Sequence, residues 1–303
     1  MISGILLIDK PEGVTSFEVV RRTRRALRER KIGHLGTLDP FATGLLPLCL
    51  GEATKLAPYL MPEAKTYRAT LELGVDTDTQ DLTGQVVSRS ETWPQPEQVY
   101  QAAAQFVGEI QQVPPMHSAL HYQGERLYKL ARRGQTVARA PRPVTIYRLE
   151  VEEVELPRVI LTVRCSQGTY IRTLAADLGE ALGCGAHLTA LRRLGVGPFR
   201  VTDAWPLAAL EEAAPAERLA RIIPLTACLP GMRQVRVDPG EAAKLRQGQA
   251  LAWKDEDFQP EETVQVLAGA ELLAVAKIRR LEDRVVLAPN RVFPASQGSE
   301  VRG

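Results

Sequence analysis

Within residues 65–75, KTYRATLELGV, apolar side chains occupy every second position from Tyr67 to Val75. A period of two places alternate side chains on the same face of an extended chain. One face of this segment is therefore apolar, and the other is polar or charged. We predict a half-buried β-strand here. Its apolar face consists of Tyr67, Ala69, Leu71, Leu73 and Val75.

Helices and further strands are indicated on both sides of this strand. Thr15 or Ser16 is suited to cap a helix that runs to about Arg30, with Phe17, Val20 and Leu27 on one apolar face. The remaining predictions are strands at 4–8, 144–155, 158–166 and about 198–202, a helix or apolar segment at 53–60, and helices at 96–110, 125–133, 169–182 and 187–193.

The pattern of the sequence changes at about residue 230. Beyond this point short apolar stretches surround one helical segment, which predicts a small β-rich unit. We therefore expect a main domain at 1–229 and a small domain at 230–295. The polar residues 296–303 are expected to form a flexible tail.

Charge is distributed unevenly, although the 303 residues carry a net charge of only +2. Residues 1–200 hold 25 basic and 21 acidic side chains, a net of +4, whereas residues 201–303 hold 13 and 15, a net of −2. The basic excess lies mainly at 21–31 and 124–143. Arginine suits phosphate binding, but a solvated, ion-paired helix surface explains the 21–31 cluster equally well.

Cysteine spacing and hydropathy bear on metal binding and location. Cys49, Cys165, Cys184 and Cys228 are widely separated, and the four histidines do not complete a zinc signature with them. The N-terminus lacks signal-peptide character, and no apolar run is long enough to span a bilayer. We expect a cytoplasmic protein without a metal site or membrane association.

The segment 33–44 is the most unusual part of the chain, because glycines and Pro40 surround a single carboxylate at Asp39. Such a carboxylate can serve as a nucleophile or general base. It can equally be a turn residue that is hydrogen-bonded to its own backbone. The residue pattern alone favours the turn.

Five motifs occur in an order that resembles the bacterial TruB-type tRNA pseudouridine synthases. The resemblance extends almost continuously from about residue 4 to residue 200. The motifs are DKPEGVTS at 9–16, GHLGTLDPFATGLLPLCLGEATK at 33–55, KTYRATLELGVDTDTQDLTG at 65–84, SQGTYIRTLAADLG at 166–179 and LTALRRLGVGPF at 188–199.

The resemblance implies a fold, an activity and a partner. The fold would be the α+β pseudouridine synthase fold, with a mixed or antiparallel central sheet and a C-terminal PUA-like RNA-binding domain. The activity would be isomerisation of uridine to pseudouridine at position 55 in the T loop of tRNA. The resemblance implies no metal and no organic cofactor. We expect a monomer that acts on the T-arm without a guide RNA.

The resemblance also assigns roles to residues. Asp39 matches the essential aspartate, Arg172 the arginine that pairs with it, and Asp81 a second active-site carboxylate. Tyr67 matches the tyrosine that stacks on the target base. The remaining matches are Leu191, which lines the base pocket, and His34, which replaces the flipped base in the T-loop stack.

Besides Asp39, four of these assignments have structural alternatives. Tyr67 can be a plain core residue of its strand. Arg172 can be an ordinary exposed helix residue, and Leu191 an ordinary core residue. Asp81 can join the catalytic network or cap the turn before Gly84. The reaction path also stays open, because the aspartate can add to the base, attack the anomeric carbon or deprotonate the sugar.

The basic segment at about 116–143 resembles the mobile arm with which the family closes on tRNA. Arg126, Lys129, Arg132 and Arg133 suit phosphate contacts there. Two positions depart from the family pattern. His117 stands where tyrosine is common, so it receives no role. His121 stands where lysine is common, and a neutral histidine contributes little to a phosphate contact.

Two other functions compete with a stand-alone tRNA pseudouridine synthase. One is the guide-RNA-dependent relative, but the long arm and the PFATGLLPLCLGEATK ending favour the stand-alone type. The other is a tRNA-binding or tRNA-folding module whose chemistry is dispensable. Retention of Asp39, Tyr67 and Arg172 favours an active enzyme.

Overall fold

The structure is a computed structural model that describes residues 2–118, 120–253, 258–259, 261–281 and 284–295. The expected flexible tail at 296–303 lies outside the described residues. Within these ranges, no helix combines the length and apolar character that a bilayer crossing requires.

The first half of the chain alternates strands with short helices. In chain order the elements are β1 (Gly4–Lys10), α1 (Ser16–Leu27), β2 (Ile32–His34), β3 (Thr43–Leu50), α2 (Ala57–Leu60), β4 (Lys65–Leu73), β5 (Val75–Thr77), β6 (Val86–Arg89), α3 (Pro96–Gln105), β7 (Gly108–Gln112), β8 (His121–Tyr122), β9 (Glu125–Arg126) and α4 (Leu127–Arg132).

The second half contributes the long strands and a second sheet. Its elements are β10 (Arg142–Glu155), β11 (Arg158–Cys165), α5 (Ile171–Ala181), β12 (Ala186–Val196), β13 (Phe199–Arg200), β14 (Trp205–Pro206), α6 (Leu207–Glu212), α7 (Pro215–Ala220), β15 (Gln234–Arg236), α8 (Pro239–Arg246), β16 (Leu251–Ala252), β17 (Thr263–Ala268), β18 (Glu271–Leu281) and β19 (Arg284–Val292).

Ten strands of the described residues form a central mixed sheet. Eight lie in the order β14, β1, β3, β12, β4, β11, β10, β7, while β13 pairs with β12 and β2 with β3. Most pairs are antiparallel, but β1 is parallel to β14 and β3 is parallel to β12. The predicted α+β class with a mixed central sheet is confirmed.

Strand β4 shows why the alternating segment determines so much of this fold. Tyr67, Ala69, Leu71 and Leu73 are all buried on one face, as the period of two predicts. They join the hydrophobic cluster that packs under α3 and α5. The charged Lys65 is buried on the same face, so the strand also brings one cation toward the interior.

The predicted helix at 187–193 is wrong, because β12 runs as a strand from Ala186 to Val196. Its pairing with β4 contains a bulge between Leu188 and Ala190. The extra residue returns Leu188 and Leu191 to the same buried face although they are three positions apart. That spacing imitates a helical repeat.

The predicted strand at 198–202 is shorter than expected. Only β13, Phe199–Arg200, is extended, and a 3-10 turn follows at Val201–Asp203.

Helices α1 and α3 end at least three residues earlier than predicted. Helix α1 begins with Thr15 as its N-cap, but it ends at Leu27 because Arg28 adopts a left-handed conformation. Helix α3 ends at Gln105, and the chain then turns into β7 at Gly108, whose φ is +111°. A positive φ of this kind suits glycine and does not continue a helix.

The faces of α1 also differ from prediction. Val19, Val20 and Leu27 are buried, but Phe17 is 68% exposed. Several of its basic residues are ion-paired: Arg21 with Glu18, and Arg22 with Glu211 of α6. Part of the basic cluster at 21–31 is therefore an ion-paired surface.

The C-terminal strands form a separate five-stranded sheet in the order β15, β17, β18, β19, β16. The C-terminal β-rich unit expected from the sequence is thus present. Its Val275 and Phe293 share a hydrophobic cluster with Ile5 and Cys49 of the central sheet. The division at residue 230 stays a prediction, because apolar packing is continuous across it.

Candidate active site

Asp39 lies in the loop between β2 and β3, and this loop is held by its own backbone and by α1. The Asp39 carbonyl accepts a hydrogen bond from Ala42 N at 3.1 Å, which closes a turn. The buried Ser16 hydroxyl accepts from Leu38 N at 2.9 Å and donates to Leu38 O at 3.2 Å. Ser16 therefore holds both the main-chain N–H and the main-chain carbonyl of Leu38, the residue before Asp39.

Lys10, at the end of β1, binds the same loop from another side. Its side chain is fully buried, and Nζ donates to the carbonyls of Pro11, Val14 and Pro40 at 2.9, 2.6 and 3.1 Å. Burial lowers the pKa of Lys10 to about 8, although the Asp39 carboxylate opposes this shift. Sequence reasoning missed Lys10; the available signal was a lysine that directly ends a buried strand.

Arg193, on β12, completes the support of the loop. It is 1% exposed, and its guanidinium donates to Leu45 O at 2.7 Å and to Gly36 O at 3.1 Å. Gly44 has a φ of +100°, and a Cβ there would lie 2.3 Å from Arg193 O. A side chain is therefore excluded at Gly44. Arg193 binds the loop near both of its ends, at Gly36 and at Leu45. Sequence reasoning also missed this role of Arg193.

Arg172, near the start of α5, faces Asp39. Its Nε lies 3.0 Å from Asp39 Oδ2, and its Nη2 donates to Oδ1 at 3.3 Å. The guanidinium fork therefore contacts both carboxylate oxygens. Arg172 is only 4% exposed, which excludes the alternative of an exposed helix residue.

The remaining N–H groups of the Arg172 guanidinium also have hydrogen-bond or ion-pair partners. Nη1 donates to Thr79 O at 3.1 Å, and Nη2 donates to His117 O at 2.8 Å. Nη1 also lies 3.6 Å from Asp81 Oδ2. One cation thus joins the Asp39 loop, the Asp81 turn and the base of the arm.

Asp81 both contacts the Asp39–Arg172 network and caps the turn before Gly84, the two alternatives that the sequence left open. It faces Arg172, and its Oδ1 also accepts from the Thr79 hydroxyl at 2.8 Å and from Thr83 N at 2.9 Å. The side chain is buried. Asp81 therefore orients the arginine while its other oxygen closes the turn before Gly84.

The carboxyl of Asp39 has a raised pKa. Burial is the largest cause, and the nearby Asp81 charge acts in the same direction. Arg172 lowers the pKa of Asp39 but does not fully offset the burial. Arg172 therefore reduces the tendency of the buried Asp39 carboxyl to become neutral but does not reverse it.

Tyr67 and Leu191 belong to the apolar wall beside this network. Both are buried, at 8% and 7% exposure, in the same cluster as Leu38 and Phe41. Burial raises the pKa of the Tyr67 phenol, and the Arg193 charge lowers it. Tyr67 is therefore a neutral, flat side chain between the core and the Asp39 loop.

Tyr170 is a further aromatic residue near the network that sequence reasoning did not single out. It directly precedes α5, and its pKa is raised by burial while Ser118 and Arg172 lower it. The available signal was its place in the GTYIRT segment, two residues before Arg172.

His34 lies at the end of β2, on the way into the Asp39 loop. Its Nδ1 is buried without a hydrogen-bond partner among the described residues. Burial and the Arg193 charge both lower the pKa of His34. The ring is therefore neutral at pH 7 and presents a flat surface.

The basic residues of the arm lie outside the Asp39 network. Arg126, Lys129, Arg132 and Arg133 are all exposed. Arg133 pairs with Glu125 at 2.6 Å, and Arg132 lies over the Tyr128 ring at 5.6 Å. The arm touches the network through its base, where the His117 carbonyl meets Arg172.

The cysteines and the other metal-binding side chains do not gather in the part of the chain that the structure describes. No cluster of three or more His, Cys, Asp or Glu residues suited to a metal ion occurs there. The four cysteines are free and buried.

Comparison with known proteins gives a consistent result. Residues 24–171 match the N-terminal domain of the TruB family pseudouridylate synthases, and residues 172–230 match the C-terminal domain of tRNA pseudouridylate synthase B. The chain is 49% identical over 251 residues to the tRNA pseudouridine synthase B of Dechloromonas aromatica, covering 83% of this chain and 84% of the relative. Identity to the same-named protein of Geobacter sulfurreducens is 45% over 290 residues, covering 95% and 92%.

A solved structure shares the fold over nearly the whole chain. It is a chain of an H/ACA ribonucleoprotein bound to a substrate RNA that contains 2'-deoxyuridine, with a TM-score of 0.73 and 26% identity. The match covers 96% of this chain and 85% of the other. The fold, together with the family models, defines a pseudouridine synthase, which is an isomerase. Within that class the chain belongs to the TruB family of pseudouridylate synthases.

Proposed function

We propose that this protein isomerises uridine to pseudouridine at position 55 in the T loop of tRNA, with Asp39 as the catalytic carboxylate. The observation that carries the proposal is the contact of both Asp39 oxygens with the Arg172 fork. The Asp39 side chain keeps 34% of its surface exposed while Arg172 keeps 5%. The buried arginine thus orients the carboxylate, and the exposed part of the Asp39 side chain is accessible to a substrate.

The reaction requires the base to leave its stack. Extrusion of a base costs on the order of a few kcal/mol. Tyr67 offers a flat face to the extruded uracil, and base–aromatic stacking is worth about 1–3 kcal/mol. His34, neutral and flat, fills the space that the base leaves, and Leu191 lines the pocket in which the uracil is retained.

The chemical step breaks the bond from C1' to N1 and forms a bond from C1' to C5. A base removes the hydrogen on C5, and N1 gains a proton. Addition of Asp39 to the base, attack on C1' and deprotonation of the sugar all require an ionised carboxylate. Arg172 keeps the carboxylate more acidic than burial alone would allow. As the resemblance to the TruB family implies, we propose that neither a metal nor an organic cofactor takes part.

Recognition of tRNA is assigned to two regions. The exposed Arg126, Lys129, Arg132 and Arg133 of the arm suit phosphate oxygens. Residues 230–295 supply a second RNA-binding surface, as their PUA-like character suggests. We propose that the protein acts as a monomer in the cytoplasm. The four free, buried cysteines are consistent with a reducing compartment.

Action without a guide RNA is favoured over the guide-dependent alternative. Relatives named tRNA pseudouridine synthase B are 49% and 45% identical, whereas the ribonucleoprotein chain is 26% identical. The arm at 116–143 supports the same choice, because it carries cations that suit a tRNA backbone.

The test is mass spectrometric mapping of an unmodified tRNA transcript after incubation with the protein alone. We expect pseudouridine at position 55, in the absence of any guide RNA or cofactor. A transcript with cytidine at position 55 is the matched control and should gain none. Absence of pseudouridine from the first transcript would refute the proposal, whereas tRNA binding without modification would favour a tRNA-folding module.

A further inference from the structure

Gln112, the last residue of β7, makes an unusual pair of hydrogen bonds with main chain far away in the sequence. Its Oε1 accepts from Tyr170 N at 2.9 Å, and its Nε2 donates to Tyr170 O at 3.1 Å. The side chain is 1% exposed. The main-chain donor and acceptor also fix which end of the amide is oxygen.

Tyr170 occupies the position from which α5 starts. Its carbonyl also accepts the first helical hydrogen bond, from Leu174 N at 3.0 Å. The helix has no side-chain cap hydrogen bond at this end. Gln112 is therefore the contact that anchors the main chain entering α5, two residues before Arg172.

The segment after Gln112 reaches the same helix start a second time. Five residues later, His117 O accepts from Arg172 Nη2 at 2.8 Å. Residues 112–117 thus contact Tyr170 at one end and the Arg172 guanidinium at the other. Pro114 and Pro115 lie between them and restrict the freedom of this connection.

We infer that Gln112 is a positioning residue for pseudouridine formation, which sets the Arg172 fork against Asp39 through the main chain of Tyr170. This inference rests on the proposed function of the Asp39 site. Gln112 forms no hydrogen bond with the carboxylate or the guanidinium, so it acts only through the start of α5.

A guanidinium that contacts both oxygens of a carboxylate must be closely aligned with it. The two Arg172–Asp39 distances, 3.0 and 3.3 Å, leave little room before one of the two interactions breaks. Displacement of a catalytic group by about 1 Å can cost on the order of 10²-fold in rate. Removal of the amide also leaves the partly buried N–H of Tyr170 without its partner.

The first test is Gln112→Met, which keeps the length of the side chain and removes both hydrogen bonds. We expect the single-turnover rate of pseudouridine formation to fall about tenfold or more, while the Kd for tRNA changes less than about twofold. The acidic limb of the rate profile should move to higher pH, because a displaced Arg172 no longer lowers the pKa of Asp39 as much.

The matched control is Gln265→Met in β17. Gln265 is also fully buried, so it takes no part in the RNA-binding surface proposed for residues 230–295. Its Nε2 donates to Leu229 O at 2.8 Å and to Met232 O at 3.2 Å. This variant loses the same chemical group in the C-terminal sheet. It should lower the Tm while it leaves the single-turnover rate and its pH profile unchanged.

Gln112→Glu gives a second test that does not depend on the first variant. A protonated carboxyl reproduces the acceptor and the donor of the amide, whereas an ionised one loses the donor and opposes Tyr170 O. Burial raises the pKa of such a carboxyl, whereas the cross-strand neighbour Arg142 and the nearby Arg172 lower it. Protonation at lower pH restores the donor in either case. The rate relative to wild type should therefore increase as the pH falls.

Two outcomes overturn the inference. One is a folded Gln112→Met protein with wild-type rate and pH profile, and the other is a Gln112→Glu rate ratio that does not depend on pH. These failures are distinct from failure of the proposed function, in which the wild-type protein itself would form no pseudouridine.

Discussion

The Asp39 loop and the arm at 116–143 are both irregular segments beside the same site, but they are held in opposite ways. In the loop, the backbone is tied to three buried polar side chains: Ser16, Lys10 and Arg193. The arm has a hairpin of two-residue strands and one six-residue helix, α4. The side chains of Arg126, Lys129, Arg132 and Arg133 in the arm extend into solvent.

This contrast separates chemistry from binding. A carboxylate that must meet one atom of the substrate gains from a backbone that is fixed in advance. A surface that follows a flexible RNA backbone gains from exposed, adaptable cations. We therefore expect changes in the loop and its support to affect the rate constant, and changes in the arm to affect affinity and its salt dependence.

The largest effect is expected for Asp39→Asn. The amide cannot act as a nucleophile or base, so single-turnover pseudouridine formation should fall by at least about 10³-fold. Affinity for tRNA, measured by filter binding, should stay within about tenfold. Asp203→Asn, at an exposed aspartate far along the chain, is the control and should behave as wild type. Normal turnover by the Asp39 variant would disprove the assignment of this residue.

Arg172→Lys is expected to cost on the order of 10²-fold in rate, because a point charge cannot contact both Asp39 oxygens as the fork does. The pKa of Asp39 is already raised by burial. Weakening the interaction with Arg172, which lowers this pKa, should raise the pKa of Asp39 further. When the pH is lowered, the variant should therefore lose activity at a higher pH than the wild type. A pH–rate profile checks the direction of the shift.

Arg158→Lys is the control for that prediction. Arg158 forms ion pairs with Glu153 and Glu155 at the surface, and such exposed pairs contribute about 0–1 kcal/mol. Its rate and pH profile should match wild type. An acidic limb in the Arg172 variant that stays in place would show that the pair does not control the ionisation of Asp39.

Ser16→Ala tests the fixed backbone itself. The change leaves Leu38 N and O without the hydroxyl that binds both, at a cost of about 1–3 kcal/mol. We expect a lower Tm and a rate reduced about tenfold, with tRNA affinity unchanged. The control is Ser90→Ala, which removes a hydroxyl that accepts from Thr92 N at 3.1 Å, outside the Asp39 network. A lower Tm with a wild-type rate for Ser16→Ala would show that the loop does not need this hydroxyl for catalysis.

Patterns with a short period could be predicted from the sequence. The alternation at 65–75 gives β4, and the buried stripe Ile171, Leu174, Ala175 and Leu178 gives α5. The prediction for β12 was wrong because one bulge converts a period of two into an apparent spacing of three. A bulge depends on pairing with a distant strand, so a local pattern contains no sign of it.

The site was predictable to a different extent. Resemblance to a family indicated Asp39, Arg172 and Asp81, and the structure brings these three together. Lys10, Arg193 and Gln112 were missed, because each acts through main-chain carbonyls or amides far away in the sequence. Such interactions depend on the backbone path and leave no residue-type signature at their other end.

The smallest effect is expected in the arm. Arg126 and Lys129 have no ion-pair partner among the described residues, whereas Arg133 is paired with Glu125. Gln substitution of both Arg126 and Lys129 should raise the KM for tRNA a few-fold and leave kcat unchanged. The slope of log affinity against log salt should decrease by about one for each phosphate that the variant no longer neutralises. Arg133→Gln is the matched control and should change that slope less, because its charge is already partly neutralised. A fall in kcat in the double variant, with an unchanged salt slope, would instead place the arm cations in the chemical step.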